Sequence, residues 1–298
     1  MPELPEVETI ARELQPLVTG RTILDAWFDW PNQIKHPAPA EFVPAVRGRR
    51  ILGVARRAKW IIFDLSGSAV LAIQVKMTGQ LTVVRPDEPR DKHVHATFDL
   101  DDGRQLRLRD TRKFGRLGFY HRDEAGAILG AGDVGQLFDQ FGPEPLADEF
   151  SAPAFHRRLG KRKSRLKTLL MDQAFLAGVG NIYADEALWR AQLHPLRSGA
   201  GLNADQSRRL YRALRAVLAE AIERRGSSVD DYLAPEGRGD MQNYLKVYGR
   251  TGKPCPRCGR PVRRIVINAR STHFCSWCQR LPVEERRRTL PTLLRQSA

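Results

Sequence analysis

The sequence predicts an α+β protein of two domains: an N-terminal helix on a β-sandwich, then a helical domain ending in a small cysteine-bearing hairpin. Three observations carry this. Short β-branched and aromatic runs crowd residues 21–135, helical periodicity governs residues 154–225, and all four cysteines fall within residues 255–278. Strands and helices segregated in this way mark α+β rather than alternating architecture. A chain of 298 residues has room for two ordinary cores. The expected organisation is a first domain over 1–136, a Pro-containing linker over 137–153, a helical domain over 154–245 with a Gly, Ser and Asp-rich loop at 226–240, a finger over 246–280 and a basic tail over 281–298.

The first element is a helix. In MPELPEVETI, Leu4, Val7 and Ile10, continued by Ala11 and Leu14, recur at helical spacing. Pro and Glu also suit a first turn, where proline's φ fits and carboxylates complement the dipole. The same residues allow chemistry. If Met1 is removed, Pro2 presents a secondary α-amine beside Glu3 and Glu6, which lie one turn apart. α-Amino groups have a pKa of about 7.7–8.0 in model peptides, so part of such an amine is unprotonated and nucleophilic near neutrality. It can form a Schiff base with a sugar aldehyde carbon. This segment alone favours the ordinary helix start.

Strands follow at Thr22–Phe28, Arg50–Ala55, Trp60–Leu65, Val70–Val75, Gln80–Val84, His95–Leu100 and Gln105–Arg109, punctuated by Gly, Pro and Asp. Their number and spacing predict a sandwich. Beyond the linker, Leu166, Leu169, Leu170, Leu188, Leu210, Leu214, Val217, Leu218 and Ile222 mark buried helix faces. Residues 169–195 read as helix, Gly-rich turn, helix, with Gly178 and Gly180 in the turn and Asn181 as the expected N-cap. Amides at such an N-terminus suit a phosphate.

The cysteines form one pattern, Cys255-x2-Cys258, sixteen residues, Cys275-x2-Cys278. Paired thiolates at this spacing suit one tetrahedral Zn2+, structural because four protein ligands leave no open position. Two disulfides are disfavoured by the expected intracellular location.

Lys and Arg outnumber Asp and Glu by 49 to 34, a net charge of +15. Residues 251–298 carry eleven basic residues against two acids, and a second basic cluster runs from Arg157 to Lys167. Such an excess points to a polyanion. With no apolar run long enough to span a bilayer and no signal-peptide pattern, nucleic acid is the expected partner and the cytoplasm the expected location, with no membrane association. No oligomerisation seam is evident, so a monomer is expected.

Eight motifs in order carry a resemblance to the bacterial formamidopyrimidine-DNA glycosylases, whose wider family includes endonuclease VIII. They are PELPEVE from Pro2, Lys59 in RRAKW, KMTGQL at 76–81, KHVH at 92–95, DTRKFG at 110–115, GVGNIYADEAL at 178–188, VYGRTGKPC at 247–255 and ARSTHFCSWCQ at 269–279. The resemblance implies a bifunctional DNA glycosylase and abasic-site lyase of base excision repair, acting on damaged double-stranded DNA without a small-molecule cofactor. Its second domain would be a helix-two-turn-helix with a zinc finger. By this resemblance Pro2 is the nucleophile, Glu3 the proton-transfer acid, Glu6 a second acid of the same pocket, Lys59 the residue of β-elimination and Arg270 that of δ-elimination. Met77, Arg112 and Phe114 would fill the gap left by an everted nucleotide, and an apolar wedge, a guanidinium and an aromatic are suitable types for that task.

His93, Arg162, Lys167 and Asn181 would contact the DNA backbone, with Arg162 standing where a lysine is expected. The loop residues Ser228, Val229, Asp230, Asp231 and Tyr232 would cover the lesion, as in the branch that excises 8-oxoguanine and formamidopyrimidines. Thr78 departs from relatives that carry an acid there. Two alternatives are an endonuclease VIII-like preference for oxidised pyrimidines and a non-catalytic DNA-damage-binding protein.

Overall fold

The structure, a computed structural model, describes residues 2–130, 136–228 and 234–286. It forms two compact units, Met1–Gln140 with Ile222–Gln242, and Phe141–Ala221 with Asn243–Ala298.

In the first unit, α1 (Leu4–Val18) starts with a reciprocal capping box. The Glu3 side chain accepts the Glu6 N–H, and Glu6 Oε2 accepts the Glu3 N–H at 2.8 Å. The strands are β1 (Ile23–Phe28), β2 (Ile34–His36), then, after α2 (Pro39–Val46), β3 (Ile51–Arg57), β4 (Trp60–Leu65), β5 (Ala69–Gln74), β6 (Gly79–Val84), β7 (Val94–Leu100), β8 (Gln105–Asp110), β9 (Arg116–Arg122) and β10 (Ile128–Leu129). They form an antiparallel sheet β1-β7-β8-β6 and a six-stranded sheet β10-β9-β5-β4-β3, in which β2 runs parallel to β9. Ile61, Phe63, Leu71 and Ile73 of one sheet share a core with Leu81, Phe98, Leu106 and Leu108 of the other, joined by Val7, Ile10 and Leu14 of α1. The expected sandwich with its N-terminal helix is present. Four elements, α2, β9 and the short strands β2 and β10, have no counterpart among the segments predicted by pattern. In β9 a Cβ on Gly118 would lie 2.4 Å from the Tyr120 ring, so glycine lets that ring fold back along its own strand.

The second unit contains α3 (Ala152–Gly160), α4 (Leu166–Met171), α5 (Asn181–Arg190) and α6 (Ala204–Glu223), the last of which runs on into the first unit. Its finger is the hairpin β11 (Arg263–Ile267) and β12 (Arg270–Phe274). The two-residue turn between them, Asn268 and Ala269, has φ of 48° and 58°, the mirror-image turn that matches strand twist.

Residues 222–242 pack with the first unit rather than with the helices they follow, unlike the expected 154–245 grouping. The cause is two acids of α1. Glu13 accepts from Arg225 Nε at 2.8 Å and from the Glu236 N–H at 3.0 Å, and Glu6 Oε1 accepts the Ser227 N–H at 2.7 Å.

Candidate active site and nucleic-acid interface

The capping box fixes where the N-terminus points. Pro2, Glu3 and Glu6 are all buried, and the box locks both carboxylates at the mouth of α1. Glu6 divides its two oxygens between the Glu3 amide and the Ser227 amide. Gly226 makes this approach possible: at φ +76° it sits so close that a Cβ would lie 2.7 Å from Glu6 Cγ. Ser228 N–H donates to Gln242 Oε1 at 2.8 Å. Val229, Asp230, Asp231 and Tyr232 lie outside the described residues.

Lys59 occupies the β3–β4 turn and is half-buried. Arg56 clamps that turn, donating to Ala58 O at 3.0 Å and pairing with Glu8 of α1 at 2.9 Å. Lys59 is thereby tied to the helix that begins at the candidate nucleophile.

Met77, Arg112 and Phe114 come together. Arg112 Nη1 approaches Met77 Sδ at 3.4 Å, and its guanidinium lies 4.7 Å from the Phe114 ring centre. Phe114 remains 49% exposed even with that guanidinium over its ring, a cost for a large aromatic. Beneath them lies Asp110, 2% exposed, which the sequence reading did not single out although it opens DTRKFG. Its carboxylate accepts from the Thr78 hydroxyl, from the Arg112 N–H at 3.2 Å and from the Gly115 N–H at 2.6 Å. One buried acid therefore positions both loops, and Thr78 is its partner. His93, in KHVH just before β7, is half-buried, and its carbonyl accepts the Asp110 N–H at 2.8 Å.

In the second unit, Gly178 takes φ +81° in the turn between α4 and α5. Gly180 is the N-cap of α5 and Asn181 its first helical residue, which corrects the expected Asn181 cap. The Asn181 Oδ1 is buried and has no hydrogen-bond partner among the described residues. Lys167 points inward rather than to solvent. It is 1% exposed and donates to Asn181 O and Asp185 Oδ1, both at 2.7 Å, so its ammonium positions the turn and is not presented to a phosphate. Asp185 Oδ2 accepts the His273 N–H at 2.8 Å, joining α5 to β12. The next residue, Glu186, accepts the amides of Lys246, Val247 and Tyr248, each at 2.9 Å. Burial still pushes its carboxyl above the usual range, against those three amides. The signal for these roles was two adjacent acids on an otherwise apolar helix.

Arg162 is exposed in the basic segment after α3, and Arg270 is exposed at the start of β12, beside the hairpin turn. The four cysteine sulfurs lie within 4.8 Å of one another, with Cys258 and Cys275 at 3.5 Å and Cys255 and Cys278 at 4.0 Å. Zinc–sulfur bonds of about 2.3 Å in a tetrahedron require sulfurs about 3.8 Å apart. The cluster fits one structural zinc, and Trp189 Nε1 approaches Cys255 Sγ at 3.4 Å. Residues 287–298 of the expected basic tail lie outside the described residues.

An acid-flanked N-terminus, the Met77–Arg112–Phe114 cluster, a helix-turn-helix and a four-thiolate finger are the parts of a zinc-finger DNA glycosylase. The formamidopyrimidine-DNA glycosylase N-terminal domain matches residues 1–117, its H2TH domain residues 141–232, and the zinc finger found in FPG and IleRS residues 252–281. The chain belongs to the formamidopyrimidine-DNA glycosylase family. It is similar to the formamidopyrimidine-DNA glycosylase of Chloroflexus aurantiacus, 47% identical over 94% of this chain and 98% of the relative, and to that of Heliobacterium modesticaldum, 48% identical over 94% and 100%. Among solved structures it resembles the MutM (FPG) protein of Thermus thermophilus, with a TM-score of 0.80 and 43% identity over 93% and 98% of the two chains. It also resembles the Lactococcus lactis Fpg in complex with DNA containing an abasic site, with a TM-score of 0.84 and 34% identity over 94% and 100%. The protein is thus a DNA-binding glycosylase of base excision repair. Among the described residues no helix is long and apolar enough to cross a membrane.

Proposed function

We propose that the protein excises oxidised purines, 8-oxoguanine and formamidopyrimidines, and then cleaves the strand by β,δ-elimination. It acts as a monomer in the bacterial cytoplasm. The observation that carries this reading is the buried N-terminal triad of Pro2, Glu3 and Glu6, with the 226–228 segment bound to Glu6. After loss of Met1 the Pro2 nitrogen attacks C1′ of the everted nucleotide, and the base leaves with the bonding electron pair and a proton. Glu3 moves the proton that opens the sugar ring, giving an iminium on Pro2. Loss of a C2′ proton expels the 3′ phosphate, with Lys59 serving this step, and a second elimination assisted by Arg270 expels the 5′ phosphate. Met77, Arg112 and Phe114 hold the gap open, held in turn by Asp110. Zinc, held by Cys255, Cys258, Cys275 and Cys278, supplies only the finger's fold.

The test is borohydride trapping on 8-oxoguanine and thymine-glycol duplexes. A covalent adduct chiefly on the first is expected. Preference for the second would favour oxidised pyrimidines, and binding without an adduct would leave only a damage-binding protein. Pro2→Gly should lose most of the adduct.

A further inference from the structure

The sheet order β9-β5-β4, antiparallel throughout, brings the start of β4, the end of β5 and the start of β9 to one end of the six-stranded sheet. Lys59 precedes β4 directly, Lys76 follows β5 by two residues, and Arg116 opens β9 opposite Gln74. Lys35 belongs to β2, which lies along β9 beside Leu117. Four cations thus converge where Met77 enters the gap-filling trio.

Lys76 is the least comfortable of them. Its side chain is half-buried, and its neighbouring charges are the cations Arg116, Lys59 and Lys35; burial first, then this repulsion, brings its pKa down to about 8. Among the described residues no hydrogen bond or ion pair engages its ammonium. Its backbone is also in the left-handed region at φ 57°, which disfavours any residue with a Cβ. The turn leaves little choice. Gly79 N–H donates to Val75 O at 3.0 Å, and a Cβ on Gly79 would lie 2.3 Å from that oxygen. A glycine at 76 would relieve burial, repulsion and backbone strain together. Strain kept against three separate costs is a mark of a functional position.

We infer that this end of the sheet is a phosphate-binding site and that Lys76 takes a backbone phosphate of the bound DNA, next to the gap that Met77 fills. The inference rests on the glycosylase reading above. A phosphodiester supplies the negative charge that Lys76 lacks, and it offsets the repulsion Lys76 meets from its cationic neighbours.

The probe is a duplex carrying tetrahydrofuran, an abasic analogue that cannot be cleaved, titrated by fluorescence anisotropy between 50 and 200 mM KCl on the full-length zinc-loaded protein. Lys76→Met should weaken binding roughly tenfold and lower the log–log salt slope by about 1, equally for damaged and undamaged duplex, while Lys76→Arg should stay near wild type. Lys76→Gly should show the same loss together with a raised melting temperature. Wild-type affinity and slope in Lys76→Met would overturn the inference. So would a lowered melting temperature in Lys76→Gly with an unchanged slope, which marks a structural lysine. Wild-type trapping on 8-oxoguanine, run alongside, tests the glycosylase reading separately.

Discussion

Lys167 closes the basic run from Arg157 and Lys76 opens KMTGQL, and the fold treats the two lysines in opposite ways. Lys167 is 1% exposed and saturated by Asp185 and the Asn181 carbonyl. Lys76 is half-buried among Arg116, Lys59 and Lys35. The first has its counter-charge inside the chain and therefore acts on the chain, shaping the turn before α5 and, through Asp185, the finger strand β12. The second lacks one and is suited to act on a ligand. Charge type alone does not separate positioning from binding; the partner does.

The largest effect that would break this contrast is on stability. Lys167→Met should cost about 3–5 kcal/mol in chemical denaturation, because Asp185 is left buried with an uncompensated charge. Lys76→Met should cost nothing or stabilise. Equal losses in the two variants would erase the distinction. Removing zinc with a chelator should come next, unfolding the hairpin that carries Arg270 and weakening anisotropy-measured DNA binding by on the order of tenfold or more. A smaller effect is expected from Asp110→Asn, which turns one acceptor toward N–H donors as a donor and costs about 1–3 kcal/mol. Its specific readout is the fluorescence of 2-aminopurine placed opposite the lesion, which should respond less on binding if Met77, Arg112 and Phe114 are no longer held in place.

The smallest effect concerns pH. Lys76 has its pKa lowered to about 8 in the free protein, and a phosphate bound there would raise it. Binding then takes up a proton, so affinity for the tetrahydrofuran duplex should be level below about pH 8 and fall above it. The same lowering disfavours the charged lysine in the folded state relative to the unfolded one. Its destabilising effect is therefore complete below pH 8 and fades as pH rises toward the unfolded value. Lys76→Arg should flatten the affinity profile, since arginine stays charged.

Much of the site was legible in the chain because its chemistry is local. Glu3 and Glu6 share one helical turn, the cysteine pairs sit two residues apart, and Met77, Arg112 and Phe114 lie in short motifs. What escaped depends on contacts distant in sequence. Asp110 looks like the end of a strand until Thr78, 32 residues away, donates to it. Lys167 looks like one cation in a basic run until Asp185, 18 residues on, draws it inward. The strand β9 has basic ends and a central glycine, which weaken its alternation, yet it lies inside the sheet between β10 and β5. The 226–228 segment reads as an appendage of the helices before it, and two acids of α1, Glu6 and Glu13, hold it and its neighbours to the other unit.

The most direct test of the account is to locate the trapped adduct. After borohydride reduction on an 8-oxoguanine duplex and proteolysis, mass spectrometry should place the sugar remnant on a peptide that begins at Pro2, with Met1 absent. An adduct on Lys59, or on Lys76 with its lowered pKa, would contradict the N-terminal amine as nucleophile, as would full activity in a preparation that retains Met1.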